Sequence, residues 1–291
     1  MTLLGELRQW RAGARKQRRM RDLTGAVVAI TGAGSGIGRE TALAFAREGA
    51  TVAVSDIDLA AVQRTADQIR AAGGTVSVHQ LDVADEAAVR EFADAVRAAH
   101  GVADVVVNNA GIGYSGKFLD TPQDRFERVM DINFWGVVYG CRAFAEQMRA
   151  RGTGGHIVNL SSAAAFTPQK RLAAYATSKA AVFMLSDCLR AELLPDGIGV
   201  TAICPGIVHT NITATTEFAK SSAAEQSAQQ RRVTDLYRKR NFTPDRVATE
   251  IVKSVKRNRA VVPVTPEAHV FRALGRLSPG SMRVGARLDL E

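Results

Sequence analysis

Cysteine is scarce in this 291-residue chain: Cys141, Cys188 and Cys204 are an odd number, each in an apolar stretch and none in a CxxC pair. A disulfide framework is excluded, and a reducing, cytoplasmic setting is expected. No His, Cys, Asp and Glu grouping has metal-ligand spacing, so no metal is expected. Aromatic residues reach only 6% and prolines number 8, while 46% of residues are hydrophobic, which excludes collagen-like repeats and disorder. Long apolar runs are also missing: none approaches the ~18 residues of a membrane span. The first twenty residues offer Leu3-Leu4 as a contiguous apolar pair, not the ~7–15-residue apolar core of a secretory signal.

Charge is plentiful but unevenly placed. Residues 1–22 carry seven Lys/Arg against two Asp/Glu, residues 231–291 carry fourteen against six, and residues 23–230 carry 17 against 21. Basic ends on a slightly acidic body suggest an anionic membrane surface or an acidic partner, or else solvated tails. Interleaved aromatics and a recognisable nucleic-acid module are absent, so no nucleic acid is expected.

Seven β-branched apolar runs begin near Ala26, Thr51, Thr75, Asp104, His156, Val200 and Ala260. Between them lie alanine-rich stretches of helical period, such as Val89, Phe92, Ala93 and Val96. This βαβ series predicts an α/β fold: a Rossmann-type, doubly wound parallel sheet of seven strands in three layers. Residues 210–243, rich in Thr, Ala, Ser and Gln, interrupt the rhythm and are expected to form a helical lid. The reading divides the chain into a basic N-terminal segment (1–22), a nucleotide-binding domain (23–264) and a basic C-terminal extension (265–291).

The first predicted strand runs into Thr31-Gly32-Ala33-Gly34-Ser35-Gly36-Ile37-Gly38, followed at once by a helical pattern. Glycines there permit a tight turn and close approach of a pyrophosphate to the helix N-terminus. Asp56, 18 residues past Gly38 at the end of the second strand, is placed to accept hydrogen bonds from a ribose. Its charge, with no Arg or Lys at positions 33, 35 or 57, favours NAD(H), without excluding NADP(H). Asp56 could instead cap the following helix, which would leave that preference open.

With Asn108-Asn109-Ala110-Gly111, Tyr175-Ala-Thr-Ser-Lys179 and Pro205-Gly206 added, residues 24–264 resemble the short-chain dehydrogenase/reductase family. Tyr175 and Lys179 are four apart on one helical face. An unperturbed tyrosine has a pKa of ~10, and moving it by ~2–3 units needs roughly 3–4 kcal/mol of differential interaction, which a neighbouring ammonium can supply. The resemblance makes Tyr175 the acid/base of reversible hydride transfer between a nicotinamide and a secondary alcohol or ketone. It places the catalytic serine 13 residues earlier, which selects Ser162 over Ser161. It also implies a proton relay through Asn133, whose amide could equally be a structural kink in its helix.

For the cofactor the resemblance implies Gly32, Gly34, Ser35, Gly36, Ile37 and Gly38 at the phosphates, and Asp82 and Val83 at the adenine edge. Asn109, Ala110 and Gly111 fall on the ribose side, with Tyr175, Lys179, Pro205, Gly206, Val208 and Thr210 at the nicotinamide. His209 reads as a rim residue. Residues 163–166 with Ile212, Phe218 and Tyr237 suggest a small, apolar, lipid-like substrate. A homodimer or homotetramer, through helices near residues 124–151 and 172–194, is likewise implied.

At the N-terminus, Leu3, Leu7, Trp10 and Ala14 fall on one helical face with Arg8, Arg11, Arg15 and Arg19 mostly elsewhere, which can be read as an interfacial helix or as a helix docked on its own protein. The basic ends also resemble the dehydrogenase half of bacterial fusion proteins that carry an epoxide-hydrolase domain. A non-catalytic NAD(H) sensor or scaffold is the competing class; its mark would be loss of the tyrosine or lysine, and both are present.

Overall fold

The computed structural model describes residues 20, 22–210 and 212–287. The N-terminal helix expected around Leu3, Leu7, Trp10 and Ala14 lies outside the described residues, as does the side chain of Tyr237.

Seven strands form one wholly parallel sheet: β1 (Val27–Thr31), β2 (Thr51–Asp56), β3 (Val76–Gln80), β4 (Val105–Asn108), β6 (Gly155–Leu160), β7 (Ile198–Cys204) and β9 (Val261–Pro263). Their order is β3-β2-β1-β4-β6-β7-β9. The order reverses between β1 and β4, which opens a crevice at the C-terminal ends of those strands. Each expected strand is present, its ends displaced by a residue or two.

Alternation along the strands serves both faces, which explains why the runs are apolar throughout. Val28, Ile30, Val52 and Val54 face one core with Ala42 and Phe45 of α1 (Gly36–Arg47), Val62 and Ile69 of α2 (Leu59–Ala71), and Ile251 of α9 (Pro244–Arg257). Val27, Ala29, Ala53 and Val106 face the other, with Phe92 and Val96 of α3 (Glu86–His100), Val137 and Phe144 of α5 (Gly136–Arg151), and Val182 of α6 (Ala173–Glu192). The two cores make the molecule three layers deep.

The segment before α5 departs from a plain helix. α4 (Gln123–Met130) passes into a π-turn over Asp131–Trp135 before α5 begins. Such turns push residues out of α-register and recur at functional sites. Here the displaced residues include Asn133, which is fully buried.

A second, two-stranded parallel sheet was not expected. β5 (Tyr114–Ser115), just past β4, pairs with β8 (Glu217–Phe218), which follows the one-turn helix α7 (Ile212–Thr215). The rest of the excursion is α8 (Ala223–Arg240), started by a capping box of Ser222 and Glu225. Beyond β9, Thr265 caps α10 (Pro266–Leu277), and α11 (Pro279–Gly285) follows with a proline in its first turn.

Candidate active site

At the end of β1 the chain turns through Gly32 and enters α1 at Gly36, whose φ of +52° favours glycine. Ser35 holds the cap position, but its hydroxyl does not take up the first-turn N–H groups of α1. A Cβ on Gly38 would run into the Gly32 carbonyl oxygen and the Asn109 amide. The turn is therefore drawn tight against the β4 loop. Asn109 Nδ2 donates to the carbonyls of Thr31 (2.9 Å) and Gly32 (3.0 Å), while Thr31 Oγ1 accepts from the backbone N–H groups of Asn109 and Ala110, both at 3.1 Å. Asn109 thus acts from beneath, by shaping the turn.

Asp56 faces the same turn. Its Oδ2 accepts from Gly34 N–H at 2.9 Å and its Oδ1 from Asp58 N–H at 3.0 Å. The cap of α2 is Asp58, which accepts from Ala61 N–H at 3.0 Å. Asp56 is left as a half-buried carboxylate at the loop, not a helix cap. Asp82 turns the chain after β3 by accepting from Ala84 N–H at 3.0 Å, and buried Val83 packs against Gly136. Thr210 lies over the other side of the turn, with its Cβ 3.2 Å from where a Cβ on Gly36 would sit. A glycine cradle, a helix N-terminus with its first N–H groups uncapped and a carboxylate one strand away fit a dinucleotide.

The chemical groups converge at the ends of β4 and β6. Lys179 is 4% exposed; its Nζ donates to the Leu160 carbonyl at 2.9 Å and lies 5.8 Å from the centre of the half-buried Tyr175 ring. Burial pushes the ammonium down from 10.5 to about 8. Ser161 Oγ donates to the Lys179 carbonyl at 2.8 Å, fixing α6 to the end of β6. Ser162, the next residue, has its Oγ 3.4 Å from the Pro205 carbonyl and accepts from Ala164 N–H at 3.1 Å, where it starts the short turn Ala163–Phe166. One serine is tied to the helix backbone and the other opens the turn Ala163–Phe166.

Asn133 joins this group by its side chain. Its Oδ1 accepts from Ile112 N–H at 2.8 Å, and its Nδ2 donates to the Ile112 carbonyl at 3.0 Å and Ser178 Oγ at 3.2 Å. Ser178 in turn donates to the Tyr175 carbonyl at 2.8 Å. Gly111 sits between: an added Cβ would lie 3.0 Å from Asn133 Oδ1 and 3.3 Å from Lys179 Nζ. The π-turn therefore staples the β4 loop to the helix that carries Tyr175 and Lys179.

A family model described as short chain dehydrogenase matches residues 26–220. The chain belongs to the short-chain dehydrogenases. Members of this family are oxidoreductases that use NAD(H) or NADP(H). This short-chain dehydrogenase is 53% identical over 264 residues to "Probable oxidoreductase EphD" of Mycobacterium tuberculosis, an alignment covering 90% of this chain and 45% of that protein. The chain thus spans about half the length of that relative, which agrees with the resemblance to one half of a longer protein. It is 41% identical over 184 residues to the 2-keto-3-deoxy-L-fuconate dehydrogenase of Xanthomonas campestris, covering 62% of this chain and 58% of that one. Among solved structures, a short-chain dehydrogenase/reductase of Burkholderia phymatum in complex with NAD has a TM-score of 0.82 at 30% identity, covering 91% of this chain and 96% of that one.

Two residues of the dehydrogenase lay outside the sequence reading. Thr265 Oγ1 accepts from Gly206 N–H at 3.1 Å, and Glu267 Oε1 accepts from Ile207 N–H at 2.8 Å. The other Glu267 oxygen pairs with Arg240 at the end of α8. A side chain on Gly206 would collide with both Thr265 and Glu267. The start of α10 thereby clasps the Pro205-Gly206 segment, with Val208 buried beyond it. His209 is tied to the segment just past α8 by its backbone N–H, which donates to the Phe242 carbonyl at 2.9 Å. Among the described residues no group of three or more His, Cys, Asp or Glu could hold a metal ion, and no helix is long and apolar enough to cross a membrane.

Proposed function

We propose that this short-chain dehydrogenase transfers hydride between NAD(H) and a secondary alcohol or ketone of apolar, lipid-like character, with Tyr175 as acid/base. The observation that carries the reading is the buried Lys179 ammonium beside the Tyr175 ring, on a helix locked to the β4 loop through Asn133 and to the end of β6 through Ser161. A bound nicotinamide supplies the hydride acceptor or donor. Tyr175 moves the proton at the substrate oxygen, and Lys179 favours its phenolate. Ser162 holds that oxygen towards the tyrosine. Asn133 holds the β4 loop in place and links the lysine to the proton relay.

Preference for NAD(H) over NADP(H) rests on the Asp56 carboxylate at the Gly34 N–H, which would meet a 2′-phosphate as a like charge. The apolar substrate is supported by the cluster of Tyr114, Val129 and Ala174 with Ile112, Phe126 and Ala219, which adjoins Tyr175 in the chain. Ala163 and Ala164, both buried, and Phe166, edge-on to Phe183 at 5.3 Å, continue it. Residues 210–243 serve as the lid. A homodimer or homotetramer, and peripheral contact of the basic ends with a membrane, complete the reading.

The test is nicotinamide absorbance with NAD⁺ or NADP⁺ and a panel running from short alcohols to steroids and long-chain hydroxy compounds. Tyr175→Phe is expected to keep cofactor affinity and lose turnover by ~10²–10⁴-fold. Full activity in that variant removes the acid/base assignment. Turnover of polar sugars alone removes the apolar substrate, and tight cofactor binding with no turnover of any compound favours the sensor reading.

A further inference from the structure

α10 shows two unlike faces. One is used: Ala268 is fully buried, Phe271 half-buried, and Gly275 lies so near the Phe166 carbonyl that an added Cβ would stand 2.8 Å from it. The other carries Val270, Ala273, Leu274 and Leu277 at i, i+3, i+4 and i+7, all exposed, with Leu277 at 84% and Val284 of α11 at 59%. A continuous apolar stripe left in water marks a contact surface.

Charge decides what covers it. From residue 268 to 287 there are four arginines, Arg272, Arg276, Arg283 and Arg287, and no acidic residue. A second copy packed symmetrically through this stripe would bring Arg276 and Arg283 of the two chains together with no carboxylate of the segment to pair them. An anionic lipid surface meets both properties at once: apolar side chains enter the acyl boundary and arginines reach the headgroups.

We propose that α10 and α11 form an interfacial helix pair that docks on an anionic bilayer, with Val270, Leu274, Leu277 and Val284 as the inserted residues. This deepens the peripheral membrane contact proposed above by naming the surface, and it does not depend on the cofactor or the substrate. It also gives the docking a consequence. The used face of α10 rests on the substrate loop Ala163–Phe166, and its start clasps the nicotinamide segment. The helix therefore links a lipid contact on one face to the substrate loop packed on the other.

The experiment is co-sedimentation of the full chain with vesicles of phosphatidylcholine alone and with vesicles containing about one third phosphatidylglycerol. Wild type is expected to bind only the second kind, less so as salt rises. Arg276→Gln with Arg283→Gln is expected to weaken partitioning about thirtyfold, from about fivefold per basic residue near the surface. Leu274→Ser with Leu277→Ser is expected to weaken it more than about tenfold. All four side chains are exposed, and unchanged thermal unfolding verifies the fold of each variant. Binding that survives both pairs but is lost on deleting residues 1–20 overturns the assignment to this helix and leaves the broader membrane reading standing. Indifference of every form to both vesicles overturns both. A fall in oligomer mass in the Leu274→Ser, Leu277→Ser variant gives the stripe to a second copy and overturns the lipid proposal.

Discussion

Lys179→Met is predicted to make the ligand-free protein more stable while it disables catalysis. The lysine is 4% exposed and burial holds its ammonium at about 8, against an ordinary value of 10.5. At ~1.36 kcal/mol per pH unit, the folded state at neutral pH bears a penalty of roughly 3 kcal/mol for keeping this group charged. Methionine matches the stem in volume and carries no charge. Its cost is the Leu160 carbonyl, which loses a donor at 2.9 Å, about 1 kcal/mol. The balance is a gain of about 2 kcal/mol at pH 7, a Tm higher by roughly 4–8 °C.

The pH dependence carries the test. Below about pH 8 the lysine is charged in both folded and unfolded chains, and the variant's advantage is complete. Between about 8 and 10.5 the unfolded chain holds the proton that the folded wild type has released, so wild-type stability rises and the advantage closes. Urea unfolding of both proteins without cofactor, at several pH values across that window, reads the difference directly, because other titrating groups cancel. A variant less stable at pH 7, or a difference that stays constant with pH, refutes the reasoning.

Other predictions follow from distances at the turn and the clasp. Gly38→Ala forces a methyl into the Gly32 carbonyl and the Asn109 amide, and is expected to cost about 1–3 kcal/mol in thermal unfolding and to abolish cofactor-induced stabilisation. Asp56→Asn removes the charge and keeps one of the two acceptor oxygens, so either Gly34 or Asp58 N–H loses its partner; the ratio of NADP⁺ to NAD⁺ affinity, read by titration, is expected to rise about tenfold. Glu267→Ala leaves Ile207 N–H without its acceptor and Arg240 without its partner. A higher KM for the nicotinamide cofactor, partly restored in Glu267→Gln, is the expected kinetic result, since glutamine still accepts from Ile207.

The large features were legible because their cause is local. Strands such as Val105–Asn108 and Ile198–Cys204 are buried on both faces, so their sequences are mostly apolar and stand out from the helical pattern around them. The four-residue spacing of Tyr175 and Lys179 and the glycine turn carry their geometry in the chain itself. The rest depends on partners far away in sequence. β5 and β8 are two residues each, too short to show any period, and pair across about a hundred residues. Thr265 and Glu267 act on Gly206 and Ile207 at separations of 59 and 60 residues, and nothing near them in the chain marks that duty. Asp58, not Asp56, caps α2: two carboxylates two residues apart are equivalent in sequence, and only the position of Gly34 separates them.

The little sheet of β5 and β8 ties the excursion after β7 to the loop after β4. Its backbone bonds across the gap include Glu217 N–H to the Gly113 carbonyl at 3.4 Å and Ala219 N–H to the Ser115 carbonyl at 2.8 Å. Each such bond has a net worth of about 1 kcal/mol, and the ion pairs Arg125–Glu217 and Lys220–Asp120 and the packing of Ala219 add to them. The pairing joins two loops about a hundred residues apart in the chain into one surface, so a substitution in either is felt in the other.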